Sequence, residues 1–353
     1  MPQDLAQQCC FLRTNTAEGC VSQLAQLCQP NWRAVFLKGG HGGAAAALLA
    51  ILAEHEGAQS FWDAPGRQRR CAVTLPGYQL AVIDAELPWP LEATLPGAGE
   101  ELLSLDQCRN NAMLREQREQ LQQLFTAWQN ENQRAGRFLR AARAMKRDMA
   151  FVAGQTLDIP KIERYASRFA ARRFPAPNGQ VGQQHRRFLT AVTGQGLLLR
   201  RSVLSEVCLE SVVLEDEYGV AAPLLWDLVR GYALGNGLDV IACPCLLYPD
   251  GEPEHLIIPA LGLACVTANR RHPVDFENAQ HIQATRFLEK EALRDHRCRL
   301  RFCRRTMREL LAEAYEAQAA ADALRAEIDA IYADALIPGA VEDIARDLLQ
   351  NLS

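Results

Sequence analysis

The chain has 353 residues, a formal net charge of −4, 48% apolar residues and 23% charged ones. That is the composition of a water-soluble globular protein with room for about two domains. It gives no overall attraction to polyanions, and no stretch approaches the ~18 uninterrupted apolar residues of a membrane span. The opening MPQDLAQQCCFLRTN lacks a basic region followed by an apolar core, so no signal peptide is expected. The 12 cysteines are scattered, and the adjacent Cys9 and Cys10 are poorly placed to bridge each other. Reduced thiols and a cytoplasmic location are the expectation.

Phe11–Gly19 (FLRTNTAEG) ends in a glycine turn, and Val21–Leu27 has a short helical pattern. Pro30 and Asn31 break it before a strand at Ala34–Leu37. Val35–Ala47 then reads VFLKGGHGGAAAA, which is a strand, a glycine turn and the start of a small-residue helix. The helix is expected over Gly43–Glu54, and residues 57–71, with Pro65 and Gly66, are read as loop. Leu80–Ala85 (LAVIDA) suits a buried parallel strand and leads into a connection containing Pro88, Pro90 and Pro96. A long charged helix is expected from Leu114 to Val152, and another from Pro160 to Arg173.

Pro175–Gln184 (PAPNGQVGQQ) reads as a linker, after which the plan recurs about 177 residues on. Phe188–Gly196 (FLTAVTGQG) echoes Phe11–Gly19, and Val212–Glu215 stands where Val35–Lys38 stood. A helix at Ala221–Ala233 and a strand at Leu238–Cys243 follow. Ile257–Ala268 echoes Val73–Ala85, with Pro259 opposite Pro76 and Pro273 opposite Pro90. A long helical region runs over Ala279–Ala335, and Ile337 and Pro338 introduce a last helix. The common order points to a duplication of about 175 residues. Alternating short strands and helices predict tandem three-layer α/β units with parallel sheets, each with a helical hairpin beside it. The boundaries are 1–174 for the first unit, 175–185 for the linker and 186–353 for the second unit.

Lys38–Gly43 (KGGHGG), Leu75–Ile83 (LPGYQLAVI) and His255–Val266 (HLIIPALGLACV), taken in order, resemble an uncharacterised bacterial family of duplicated P-loop ATPase-like proteins. The resemblance covers nearly the whole chain and implies a P-loop NTPase fold and ATP binding with Mg²⁺. The chain departs from the family at the atoms that chemistry needs. Ala44, Ala45 and Ala46 stand for the Gly-Lys-Ser whose lysine holds phosphate and whose hydroxyl holds Mg²⁺. In the second unit Asp216 replaces the first glycine, and Ala221, Ala222 and Pro223 replace Gly-Lys-Ser. Glu215, Asp216 and Glu217 would repel phosphate there. The degenerate phosphate loop Lys38, Gly39, Gly40, His41, Gly42 and Gly43 is the one candidate nucleotide site left. Lys38 is its phosphate-binding candidate, and its loop N–H groups could still hold a small anion. Otherwise Lys38 is a solvated strand end.

Asp84 closes LAVID at the place of a Mg²⁺-binding acid and is the one catalytic candidate, and Thr267 is its counterpart in the second unit. Cys243 and Cys245, with Cys298, Cys303, His255 and His272 elsewhere, show no paired zinc spacing and are read as buried thiols. Arg294, Arg297, Arg301, Arg304 and Arg308 share one helical face, and Arg137, Arg140, Arg143 and Arg147 form a looser stripe. Such stripes are either a nucleic-acid surface or a solvated face paired with neighbouring Glu and Asp. The resulting expectation is a catalytically inactive P-loop NTPase-like protein, a pseudo-ATPase serving as a binding or scaffold module for an unknown protein or small anion. An ATPase or small-molecule kinase using Lys38, and a nucleic-acid-binding protein, are the alternatives.

Overall fold

The computed structural model describes residues 10–63, 69–86, 90–177, 179–199, 204–205, 208–270, 272–274, 276 and 279–350. Cys9, Pro65, Gly66 and Pro88 lie outside them. In chain order the first half contains β1 (Arg13–Thr16), β2 (Gly19–Ser22), β3 (Arg33–Lys38), α1 (Ala44–Leu52), β4 (Gln59–Trp62), β5 (Arg70–Leu75), β6 (Leu80–Asp84) and β7 (Glu100–Ser104). Three helices follow, α2 (Asn111–Glu116), α3 (Arg118–Gly154) and α4 (Ile159–Arg173). The second half contains β8 (Gln184–Arg186), β9 (Thr190–Thr193), β10 (Gly196–Leu199), β11 (Glu210–Glu215), α5 (Ala221–Gly235), β12 (Val240–Pro244), β13 (Pro253–Ile258), β14 (Leu263–Ala268) and β15 (Gln280–Gln283). It ends in α6 (Lys290–Asp295), α7 (Arg297–Asp334) and α8 (Ala340–Gln350).

Two echoed phrases fold into matching turns. Thr16 in the first hairpin donates its hydroxyl to the Gly19 carbonyl at 2.8 Å, and Thr193 does the same to Gly196 at 2.8 Å. Each threonine also accepts from the residue two positions on, at 3.1 Å. Gly19 and Gly196 take φ values of 100° and 121°, a region closed to most side chains.

The first sheet has the order β4-β5-β6-β3-β7, and the second has β12-β13-β14-β11-β15 with β8 added beyond β12. Both are mixed, which corrects the expectation of parallel sheets. β3 runs parallel to β6 and β7, and β11 to β14 and β15, but β4–β5–β6 and β12–β13–β14 are antiparallel. The reason is the brevity of the Pro76–Tyr78 and Pro259–Leu261 turns, because a parallel crossover needs a dozen or more residues. β4, inside the segment read as loop, is a four-residue strand too short to carry a pattern. The helix expected at Val21–Leu27 is instead the end of β2 and a single 3₁₀ turn.

Residues of β3 alternate between two cores, as the two-residue repeat of a strand requires. Val35 and Leu37 meet α1 and α8 on one face, while Ala34 and Phe36 meet Leu24, Leu27 and Phe61 on the other. The second sheet follows suit, with Val212 and Leu214 against α4 and α5, and Val213 against Cys10, Leu204 and Phe276. Helices therefore cover one face of each sheet, and irregular chain covers much of the other.

The long helices do not form a hairpin within each half. α3 and α7 lie antiparallel across the molecule, tied by Arg134–Glu313 at 3.2 Å near the middle and by Arg299 Nε on Asp148 at 2.8 Å nearer one end. Their seam is filled by Leu139, Met149, Leu300, Cys303 and Met307. The helices that follow them are exchanged: α4, from the first half, buries Ile162, Ala166 and Phe169 on α5, and α8, from the second, buries Val341, Ala345 and Leu348 on α1.

Candidate functional site

The glycine loop follows β3 directly, with Gly39, Gly42 and Gly43 at positive φ and α1 starting at Ala44. Two of its N–H donors are already taken. Gly39 N–H gives a short hydrogen bond to the Glu86 carboxylate, and Gly42 N–H donates to Asp329 Oδ1 at 3.1 Å. Arg109 donates to the carbonyls of Gly39 and His41, the latter at 2.8 Å. The last turns of α7 sit over the loop so closely that a Cβ on Gly42 would lie 2.5 Å from the backbone of Ala333.

His41 is 8% exposed, with its ring 4.9 Å from Tyr332 and 5.3 Å from Phe125, centroid to centroid. Arg325, which has no acceptor of its own, donates to Nδ1 at 2.7 Å, so the ring proton sits on Nε2, facing Glu86 at 3.5 Å. Burial, with Arg325 and Arg109 nearby, pushes the His41 pKa down to about 3, and the imidazole stays neutral. Lys38 turns out of the loop, donating to the Ala85 carbonyl at 3.2 Å and the Glu92 carboxylate at 2.7 Å.

Asp84 ends β6 beside β3, opposite Leu37, as Thr267 stands opposite Leu214 in the second sheet. Its carboxylate is 2% exposed and held by Arg13 at 3.0 Å and Arg69 at 3.4 Å, and Arg13 also grips Asp63 with two hydrogen bonds. Burial raises the Asp84 pKa, but the two guanidiniums outweigh it and hold the acid below its ordinary value. An acid committed to two arginines, one of them buried, is poorly placed to take Mg²⁺ through water.

In the second half Asp216 fills the corresponding turn. Oδ1 accepts from the N–H groups of Gly219 at 2.9 Å and Tyr218 at 3.3 Å, and Oδ2 from Ala221 at 2.8 Å and Ala222 at 2.9 Å. These are the donors a helix N-terminus offers an anion. Glu215 is engaged by His281 at 2.9 Å and Gln283 at 2.6 Å, and Glu217 by Arg304 at 3.1 Å. Pro223, in the first turn of α5, needs no N–H partner there.

Beside this turn lies a polar cluster that the sequence did not signal. Lys146 reaches from α3 to within 3.1 Å of where a Cβ on Gly219 would stand, and its ammonium donates to Cys245 Sγ and Glu254 Oε1, both at 2.9 Å. Burial works against the ammonium, but Cys245 and Glu254 outweigh it and keep Lys146 charged. Burial likewise raises Glu254, but Lys146 and His255 outweigh it and bring the acid down to about 2. His255 accepts from Thr267 N–H at Nδ1, 3.0 Å away, which leaves the proton on Nε2, where no hydrogen-bond partner meets it. Burial lowers its pKa to about 4. The cluster lines a cavity of about 70 Å³ whose other wall is apolar, including Leu139, Leu197 and Met307.

Cys243 is buried in β12 and Cys245 faces Lys146; the described cysteines are free thiols. Among the described residues no group of three or more His, Cys, Asp or Glu could hold a metal ion, and no helix is long and apolar enough to cross a membrane. Among the described residues, Arg304 alone of the arginine stripe has a carboxylate partner, Glu217, while Arg294, Arg297, Arg301 and Arg308 are exposed. The expected pairing with neighbouring acids therefore covers one of the five.

The residues that close the first loop were invisible in the motif. Asp329 is 287 positions from Gly42, and Arg109 and Glu86 follow other strands. The spacing of Glu86 two residues after Asp84 was the only nearby signal. Comparison with known proteins finds no matching family model, no similar curated protein and no similar solved structure.

Both buried histidines make the fold sensitive to acid. Their folded pKa values lie below the unfolded value, so the unfolded chain takes up protons first. Their contribution is complete above about pH 6.5 and falls as pH drops toward 4 and 3. At about pH 5 each should cost roughly 2 kcal/mol. Urea midpoints at the two ends of this range should differ accordingly, and less so in His255→Gln. An unchanged midpoint refutes the assignment of both rings as neutral.

Proposed function

We propose that the protein is a catalytically inactive P-loop NTPase-like module, duplicated in tandem, that acts as a binding or scaffold protein. The observation that carries this reading is the occupation of both loops by the protein's own carboxylates. Glu86 takes the Gly39 N–H and Asp329 the Gly42 N–H of the first loop, and Asp216 takes four in the second. An N–H group bonded to a buried or half-buried carboxylate is not available to phosphate, and the negative charge opposes a second anion. The shared strand order and the matching Thr16 and Thr193 turns support the duplication. With Ala45 in place of the lysine and Ala46 in place of the hydroxyl, the reading needs no Mg²⁺ or ATP. Turnover through Lys38 is disfavoured by its contacts with Glu92 and Ala85.

Titration calorimetry of the full chain with Mg-ATP and Mg-GTP should give no binding heat, and a phosphate-release assay should give no turnover. Micromolar binding with turnover that Lys38→Ala abolishes would overturn the proposal in favour of an enzyme.

A further inference from the structure

The C-terminal half of α3 and the N-terminal half of α7 run side by side, and their arginines gather at this end of the pair. Four carboxylates here are spoken for: Glu18 pairs with Arg143, Asp148 with Arg299, Glu217 with Arg304 and Glu309 with Arg305. Arg140, Arg147, Arg294, Arg297, Arg301 and Arg308 are exposed, and among the described residues none has a carboxylate within ion-pair distance. The first eleven residues of α7, Arg297–Met307, hold no acid; its acids begin at Glu309, which pairs with Arg305, and Glu313, which pairs with Arg134. The net charge of −4 thus conceals a local excess of positive charge.

Two large apolar side chains stand among these cations. Phe151 is 63% exposed and Phe302 is 53% exposed, while at this end the helices bury Met149, Val152, Leu300 and Cys303. Phe151 lines a groove of about 410 Å³ with Arg140, Arg143, Arg147 and Asp148, the last already paired with Arg299. Arg140 and Arg147 are about 10 Å apart along α3, and Arg297 and Arg308 about 17 Å apart along α7. Unpaired guanidiniums answer a line of phosphates, and an exposed ring between them offers a base a face to stack on. A duplex, with its bases stacked inside, would use the arginines and leave the rings idle.

We propose that this end of the α3–α7 pair binds single-stranded nucleic acid, with phosphates on Arg140, Arg147, Arg297 and Arg301 and bases on Phe151 and Phe302. This goes beyond the reading of the loops and stands without it, since the surface shares no residue with them.

The test is fluorescence anisotropy of the full chain with a labelled oligothymidylate of about 20 nucleotides, at about 25 mM salt and upward. Micromolar binding is expected, with log K falling against log salt by about 0.7 per phosphate contact, hence a slope near −3 for four. Arg140→Gln with Arg147→Gln should flatten the slope by about half. Phe151→Ala with Phe302→Ala should weaken binding about tenfold at fixed salt while leaving the slope unchanged. All substituted positions are exposed, and thermal unfolding at the wild-type temperature confirms that each variant is folded. No binding at the lowest salt overturns the proposal. Equal competition by polyglutamate together with an unaffected phenylalanine variant also overturns it, because that result marks a surface for an acidic protein.

Discussion

Replacing Lys146 with methionine is expected to destabilise the protein by roughly 3–5 kcal/mol at neutral pH, the cost of breaking a largely buried ion pair from one side. Methionine matches the length of the lysine stem, so the side chain still lies beside Tyr248 and the loss reports the charge. Glu254 is left with its carboxylate inside the fold and without the ammonium 2.9 Å away that holds its pKa near 2. Cys245 loses its donor as well. Because the folded pKa of Glu254 is depressed, its contribution is present above the unfolded value and is lost as pH falls toward 2. The gap between wild type and Lys146→Met should therefore narrow below about pH 4.5. Adding Glu254→Gln should restore much of the loss, because a neutral amide is far cheaper to bury than a lone carboxylate. Urea unfolding of the four species measures the coupling as a double-mutant cycle. Losses that simply add, or a single-variant loss below about 1 kcal/mol, would mean the pair is solvated and contributes little.

Asp216→Ala should cost about 3 kcal/mol, since four N–H donors at the start of α5 lose a buried charged acceptor. More telling is what the variant should gain. With the carboxylate gone, the turn becomes an open nest at a helix N-terminus, with Lys146 close by, and inorganic phosphate can enter. A phosphate concentration 100 times its dissociation constant would return about 2.7 kcal/mol. Phosphate stabilises most folded proteins slightly by exclusion, so the readout is the extra stabilisation of the variant over wild type, with sulfate as a second tetrahedral anion. If phosphate lifts both proteins equally, the turn does not act as a filled anion site and the proposed function loses its main support.

The parts of this architecture that a sequence can carry are those whose cause is local. The strand and glycine turn at Val35–Gly43 were legible because glycines at positive φ leave a compositional mark and a short continuous apolar run suits a strand buried on both faces. The paired phrases ending in Gly19 and Gly196 were legible for the same reason. Strand direction was not, because β5–β6 and β13–β14 are distinguished from parallel pairs only by turn length and by which strands become neighbours. The partners of the long helices were also hidden: the apolar positions of α3 and α7 specify a buried stripe, not what lies against it. At the loops, Asp216 could be seen to be hostile to phosphate, but its position as the acceptor for four N–H groups is a matter of backbone geometry. Arg294 and its neighbours were weighed against a paired face. The deciding fact, that few acids stand in range, depends on where α3 ends up.

The exchange of α4 and α8 bears on how the chain can fold. The contact of α1 with α8 joins the beginning of the chain to its end, and Gly42 meets Asp329 across 287 positions. Such pairings come after a long loop has closed, and proteins dominated by them fold slowly. A ribosome would release most of the first sheet well before the helix that covers one of its faces has been synthesised, leaving Val35, Leu48 and Val73 to wait for a late partner. The same geometry gives a second copy of the chain something to offer, since its α8 could cover that face as well as the chain's own. Crowded synthesis should thus favour intertwined dimers, and the length of the connection through α7 sets how often the intramolecular closure wins.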